Sequence, residues 1–324
     1  MKEFLKRTIT GIVLLGILLF FLLYLRPLCI HSLDVLILVF LEIGLFEMYR
    51  ATKSAGHNTM KLPIIVFGVL IYPLFYLFQY GFVDGKFTYV GLSDAGIIIA
   101  FVIIAVVALV ELTFALKKEE VVNENGEKKI VKSNKYNLSD LGSTLLTVVY
   151  PGVFTSLFFA VNLHAGDLIA IMMCLIVPLL DDALAYYVGS KFGKHKLCPS
   201  ISPKKSVEGL IGGIFGGLIA QVGIFLLFDG FGVFNEVNNI LIPRISDKLY
   251  VSIPIYLVLA GLIICAEFAG DLVASRIKRL AGIKDYGKIF PGHGGVMDRL
   301  DSLIFSLPVV YVFFSIFRIT GFLY

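Results

Sequence analysis

The sequence predicts an all-α, polytopic integral membrane bundle of about nine transmembrane helices. Three observations predict it. Of 324 residues, 58% are hydrophobic and only 16% are charged, against roughly 25% charged in an average soluble domain. The apolar residues form continuous runs long enough for a helix to cross about 30 Å of hydrocarbon. Those runs do not alternate over about 10 residues, as the strands of an outer-membrane barrel would.

The runs lie near Thr8–Tyr24, Leu33–Met48, Leu62–Phe78, Ala95–Leu116, Leu141–Ala160, Leu168–Val188, Leu210–Phe228, Ile253–Val273 and Leu303–Phe317. The first follows Lys2, Lys6 and Arg7 and so resembles a signal peptide, but no small-residue cleavage site comes after it. It is expected to remain as the first membrane helix. After the fourth run, "KKEEVVNENGEKKIVKSNKYN" mixes charges around Asn125-Gly126 and reads as a solvated loop or short hairpin. The seventh run holds Gly212, Gly213, Gly216 and Gly217, a small-residue face for close helix contact that also permits a homodimer. Cys29, Cys174, Cys198 and Cys265 are scattered without a CxxC pair, which points away from a disulfide framework or a zinc cluster. Residues 1–160 are read as N-terminal membrane spans and 161–324 as a catalytic membrane region with two polar loops.

Lys and Arg concentrate in cytoplasmic loops. With the amino terminus inside, 23 of the 28 fall on the cytoplasmic side of a nine-span chain and five outside. The net charge of +4 is thus expected to make a basic inner surface facing anionic lipid. No base-reading motif accompanies it, so a nucleic-acid partner is excluded.

Two cytoplasmic loops depart from this pattern, each with an acid at the edge of an apolar helix and a glycine-rich basic stretch behind it. Asp271 lies near the end of the eighth run, with Glu267 one turn earlier on the same face. An ionised carboxylate at that depth must face protein, water or a cation. Asp298 and Asp301, three apart, share one face at a helix start, where the helix dipole favours one negative charge but two acids repel without a cation between them. With Asp271 they form a hard, all-oxygen set suited to Mg²⁺. Between the acids, "PGHGG" allows a tight turn whose N–H groups reach an anion, amid Lys278, Arg279, Lys284, Lys288 and Arg299. The earlier loop carries Ser202, Lys204 and Lys205 in "SPKKS", with Asp182 and Tyr186 one helical turn apart upstream. Isolated acids such as Glu42 and Glu111 have no polar company and read as structural. Together these residues describe an interfacial pocket for magnesium and a polyphosphate, and hence phosphoryl or nucleotidyl transfer to a lipid.

The stretch "SRIKRLAGIKDYGKIFPGHGGVMDRLD" resembles the signature of the phosphatidate cytidylyltransferases, also called CDP-diglyceride synthetases. Its specified positions are filled by Ser275, Lys278, Arg279, Lys284, Asp285, Pro291, His293, Gly294, Gly295, Asp298, Arg299 and Asp301. The likeness covers roughly residues 168–317; the first five spans match by hydropathy alone. Ala274, Ser206 and Val207 depart from residues common in the family at those positions. The resemblance implies CTP and phosphatidate as substrates, with Mg²⁺ as cofactor and a second cation as an open alternative. It further implies metal on Asp271, Asp298 and Asp301, and catalytic parts for these with Lys284, Asp285, His293 and Arg299. Pyrophosphate is expected on Lys204, Lys205, Lys284 and the His293–Gly295 turn, and lipid phosphate near Arg279 or Arg299. Asp182, Tyr186, Ser202, Ser275, Lys278, Gly294 and Gly295 complete the expected substrate contacts. The rival readings are a CTP-dependent polyisoprenol or phytol kinase, an ion-coupled transporter, and a CDP-alcohol phosphotransferase, whose D-x3-D spacing the D-x2-D of Asp298 and Asp301 does not match.

Overall fold

The computed structural model describes residues 2–83, 86–89, 93–122, 128–163, 167–231, 236–237, 240–241, 248–292 and 294–319. It is an all-α membrane bundle with short hairpins. By length and apolarity seven helices among the described residues can cross a membrane: Ile9–Leu28, Lys61–Gln79, Asp94–Phe114, Leu138–Leu163, Leu168–Phe192, Val207–Phe228 and Leu249–Leu280. The expected second run lies in a helix, His31–Ser54, but Asp34, Glu42 and Glu47 interrupt its apolarity. The expected ninth is a helix of 17 residues, Leu303–Ile319. Nine expected runs are therefore helical, while seven meet the requirement for a span.

The chain divides into two compact units, one of Leu41–Val153 and one of Met1–Phe40 with Phe154–Tyr324.

In the 41–153 unit, the helices Lys61–Gln79 and Ser93–Phe114 approach closely at Gly96, where a Cβ would strike the Leu74 carbonyl. Each turns Ile64, Phe67, Ile71 and Phe75, or Ala100, Ile104 and Ala108, inward, and leaves Ile65, Val69, Ile98 and Val102 exposed. Apolar residues thus cover the outside as well as the core, as hydrocarbon solvent requires. The expected polar loop after the fourth run is an antiparallel hairpin, Leu116–Val122 with Lys128–Asn134; its anticipated Asn125-Gly126 turn lies outside the described residues. Asn137 then starts the next helix with a capping box. Its side chain accepts from Asp140 N at 2.9 Å, and Asp140 accepts from Asn137 N at 3.0 Å, which satisfies donors that a helix start leaves open.

In the other unit, Gly212 and Gly216 of the Val207–Phe225 helix lie against Val188, the Leu184 carbonyl and the Leu180 carbonyl of the Asp167–Phe192 helix, and Gly217 lies against Ile264. The opposite face presents Ile211, Phe215, Ile219 and Val222 outward. The small-residue face is thus consumed within one chain, so these glycines offer no dimer surface. The Leu249–Leu280 helix has 32 residues, about 48 Å at 1.5 Å per residue. That exceeds the roughly 30 Å of hydrocarbon, so one end must project, and the polar end carries Asp271, Ser275, Lys278 and Arg279.

Candidate active site

Three helices and a hairpin of the unit formed by residues 1–40 and 154–324 line a cavity of about 600 Å³, the Val207–Phe225 helix through Gly209 and Leu210. The Asp167–Phe192 helix supplies Asp181, Asp182 and Tyr186. The hairpin of Lys196–Cys198 with Ser202–Ser206 supplies Lys196, Lys204 and Lys205. The Leu249–Leu280 helix supplies Glu267, Phe268 and Asp271. Local sequence explains why the hairpin folds back over the helices. Ser206 ends the hairpin and caps the next helix by accepting from Gly209 N at 3.1 Å. Gly189, Gly193 and Gly209 crowd its hydroxyl, leaving no room for a Cβ. Glu208 then accepts from Lys194 N at 3.1 Å and pairs with His195 Nδ1 at 2.6 Å.

The cavity carries charges of both signs. Asp181, Asp182, Glu267 and Asp271 come from the helices, and Lys196, Lys204 and Lys205 from the hairpin. Lys205 bridges them, pairing with Asp271 while its ammonium lies 4.8 Å from the centre of the Phe268 ring. Ser275 Oγ donates to Asp271 Oδ1 at 3.3 Å. Oxygens of Asp181, Asp182 and Glu267 come within 4.8 Å of one another.

Beyond Asp271 the loop after residue 280 is organised around Asp298, which is only 7% exposed. Its Oδ2 accepts from Tyr286 N at 2.7 Å and Gly295 N at 3.0 Å. Gly294 has φ +88°, and a Cβ there would meet the Asp298 carboxylate. Gly294 and Phe290 exchange backbone hydrogen bonds of 3.1 and 2.8 Å. The turn is therefore tight, as expected, but the N–H groups of Gly294 and Gly295 go to protein acceptors. Gly294 N donates to the Phe290 carbonyl and Gly295 N to Asp298, so both donors serve the closure of the turn itself.

Lys278 Nζ reaches Asp298 Oδ1 at 3.1 Å and Asp301 Oδ2 at 3.4 Å, and lies 5.3 Å from the centre of the Tyr286 ring. Asp301 Oδ1 accepts from Ser302 N at 3.1 Å, and Ser302 Oγ donates to Asp182 Oδ2 at 3.3 Å. Burial, with Asp271, Asp182 and Asp298 nearby, outweighs Lys278 and pushes the Asp301 carboxyl up to about 7. Burial and the same acidic surroundings, Asp301 before Asp298, also raise the Tyr286 phenol; its hydroxyl donates to the Ala274 carbonyl at 3.1 Å.

The structure brings Asp182, Tyr186, Lys204, Lys205 and Asp271 to one cavity, and joins Ser275 to it through Asp271. Lys278, Gly294, Gly295, Asp298 and Asp301 gather in the adjoining loop. Arg279 ties the two parts, its Nε donating to the Ile201 carbonyl of the hairpin at 3.3 Å. Ser202 begins a hairpin strand, and Lys284, Asp285 and Arg299 are exposed. His293 lies outside the described residues. Asp181, Tyr286 and Ser302 escaped the sequence reading, and Glu267 entered it only as a neighbour of Asp271. Two adjacent acids in an apolar helix were the signal available for Asp181.

The acids fit a hard divalent ion. Every donor is oxygen, and Asp271, Asp298 and Asp301 are each already matched to an ammonium group, so the site is built to hold positive charge between them. The carboxylates whose oxygens converge within 4.8 Å are nevertheless a different trio, Asp181, Asp182 and Glu267.

Comparison with known proteins adds a second line. A family model described as "Cytidylyltransferase family" matches residues 5–317. A phosphatidate cytidylyltransferase of Bacillus subtilis is 31% identical over 319 residues, 98% of this chain and 100% of that one. Proteins of the same name from Staphylococcus haemolyticus and Staphylococcus aureus (strain COL) are 38% and 34% identical over 185 and 183 residues. These matches span 56% of this chain and 62% of each relative.

Proposed function

The chain belongs to the cytidylyltransferase family, and on that premise we propose that it transfers CMP from CTP to phosphatidate, giving CDP-diacylglycerol and pyrophosphate. The observation that carries this reading is the cavity lined by helix acids and hairpin lysines together. At about 600 Å³ it falls within the range of roughly 300–1,000 Å³ typical of small-molecule sites. The names of the relatives support the choice of substrates.

In this reaction an oxygen of the lipid phosphate attacks the α-phosphorus of CTP in line. The bond to the β-phosphate breaks, and the electron pair leaves with pyrophosphate. The attacking phosphate is already ionised near neutral pH, so no strong base and no covalent intermediate on the protein are needed. Positioning and charge neutralisation carry the rate. Lys204 and Lys205 hold the pyrophosphate portion, Lys205 exchanging Asp271 for phosphate. Lys284 adds charge for the pyrophosphate, Arg279 or Arg299 neutralises the lipid phosphate, and Asp182, Tyr186, Ser202 and Ser275 line the approach. Asp271, Asp298 and Asp301 would hold Mg²⁺, which supplies neutralisation of phosphate charge when bound. Lys278, between Asp298 and Asp301, keeps those carboxylates in register.

The loops carrying these residues are placed on the cytosolic side, which the amino terminus shares when His31–Ser54 crosses as well, the nine-span arrangement that the distribution of Lys and Arg favours. A homodimer would need a surface other than the glycine face. Purified protein given labelled CTP, phosphatidate and Mg²⁺ should release pyrophosphate and form a CDP-lipid. Release of CDP with a newly phosphorylated lipid would make the protein a kinase, and absence of any CTP turnover alongside ion transport would make it a transporter.

A further inference from the structure

We propose that Asp181, Asp182 and Glu267 form a divalent-cation site of their own, separate from the Asp271, Asp298 and Asp301 set. One oxygen from each lies within 4.8 Å of the other two. Oxygens around a single ion with bonds of about 2.0–2.6 Å span such a distance.

A second observation points to a ligand. Glu267 is 1% exposed and neither carboxylate oxygen has a hydrogen-bond partner; Asp181 is 9% exposed and its Oδ1 has none either. Ionised carboxylates are acceptors only, so the three cannot satisfy one another. Leaving them buried without a partner is among the costliest arrangements a membrane helix can carry. Lys205 lies near by, but it is engaged with Asp271 and the Phe268 ring.

The surroundings are shaped for the trio. A Cβ on Gly213 would press on both Asp181 oxygens, so the missing side chain on the Val207–Phe225 helix gives that carboxylate its space. Asp182 is exposed to the cavity, and Ser302 Oγ, donating to its Oδ2 at 3.3 Å, orients it. A hydrated ion can enter through the cavity and exchange waters for carboxylates. Three carboxylates without nitrogen or sulfur select Mg²⁺ or Mn²⁺ over zinc or copper. Bound there, the ion would cancel much of the negative charge that the trio brings to the cavity.

The inference rests on cation binding and does not require the proposed reaction. Full-length, substrate-free protein in detergent would be titrated with Mn²⁺, and free Mn²⁺ followed by electron paramagnetic resonance. Glu267→Gln and Asp181→Asn should each bind one ion fewer than the wild type, while Asp301→Asn retains the ion at the trio. Circular dichroism melts establish that each variant is folded. Unchanged Mn²⁺ stoichiometry in folded Glu267→Gln and Asp181→Asn would overturn the site and leave a cluster that shares protons. So would a wild type whose bound Mn²⁺ is lost entirely in Asp301→Asn, a result that stands even if the first two variants do not fold. If the trio binds Mn²⁺ but no CDP-lipid forms, the cation site stands and the proposed reaction falls.

Discussion

The polar cluster around Thr59 and Asp140 in the 41–153 unit and the acids beside the cavity of the other unit handle burial in opposite ways. In the 41–153 unit, Thr59 Oγ1 donates to Thr52 Oγ1 at 2.8 Å and lies 2.9 Å from Ser143 Oγ, while Met60 N donates to Thr144 Oγ1 at 3.0 Å. Asp140 accepts from Asn58 N at 2.6 Å through one oxygen and from Asn137 N at 3.0 Å through the other. Donors and acceptors close on one another, and the result is structural. In the 1–40 and 154–324 unit, Glu267 and Asp181 keep unpartnered oxygens next to a cavity. Desolvation costs both arrangements alike. The difference teaches that a closed polar network specifies packing, whereas an open one beside a cavity marks where a ligand supplies the missing partner.

The largest expected effect breaks the open side. Asp271→Asn and Asp301→Asn should each lower CMP transfer by at least about a hundredfold, the scale for losing a charge-stabilising group at a reacting phosphate. Melting in detergent should stay close to wild type. Near-normal turnover in either variant would remove that residue from the metal set.

Asp298 tests the border between the two kinds of polar group, since one oxygen holds the loop and the other faces Lys278. Asp298→Ala should lose turnover and also about 1–3 kcal/mol of stability from buried donors left unpaired. A loss of turnover with an unchanged melting midpoint would show that its contacts with Tyr286 and Gly295 are not structural.

On the closed side, Thr144→Val leaves Met60 N–H without its acceptor. It should cost about 1–3 kcal/mol in thermal unfolding, while kcat and KM for CTP per folded molecule stay at wild-type values. A changed KM would mean that this network also serves the site.

A further effect is a pH dependence of the metal-free protein. Burial raises the Asp301 carboxyl from 3.8 to about 7 in the fold. Between these values the unfolded chain has released a proton that the folded chain keeps, so stability falls as pH rises through the window and levels off above about 7. The wild-type melting midpoint should show this decline, and Asp301→Asn should show less of it. An identical slope in both would assign the proton to another acid.

Much of this was legible in the chain. Asp271, Asp298 and Asp301 stood out because carboxylates are scarce in a greasy sequence, and the glycines of the seventh run announced close packing, though not that the partner would be the Asp167–Phe192 helix. The turn at Gly294 was readable from composition. Which acceptors take its N–H groups was not, because that depends on where Asp298 sits once the loop closes. Leu33–Met48 is helical as its apolar run announced, and Asp34, Glu42 and Glu47 set it apart from the seven more uniformly apolar helices.

By itself the sequence determined the helices and the family signature. Both are local matters, since in hydrocarbon a backbone must satisfy its own hydrogen bonds within a helix, and a signature is a spacing along one chain. Tertiary structure alone decided that Asp181 and Asp182 on one helix would meet Glu267 on another. It also decided that Lys205 would find Asp271, and that Lys278 would join Asp298 to Asp301. Those meetings depend on how helices rotate and how closely glycine lets them approach, which side-chain packing sets and no single run of residues contains.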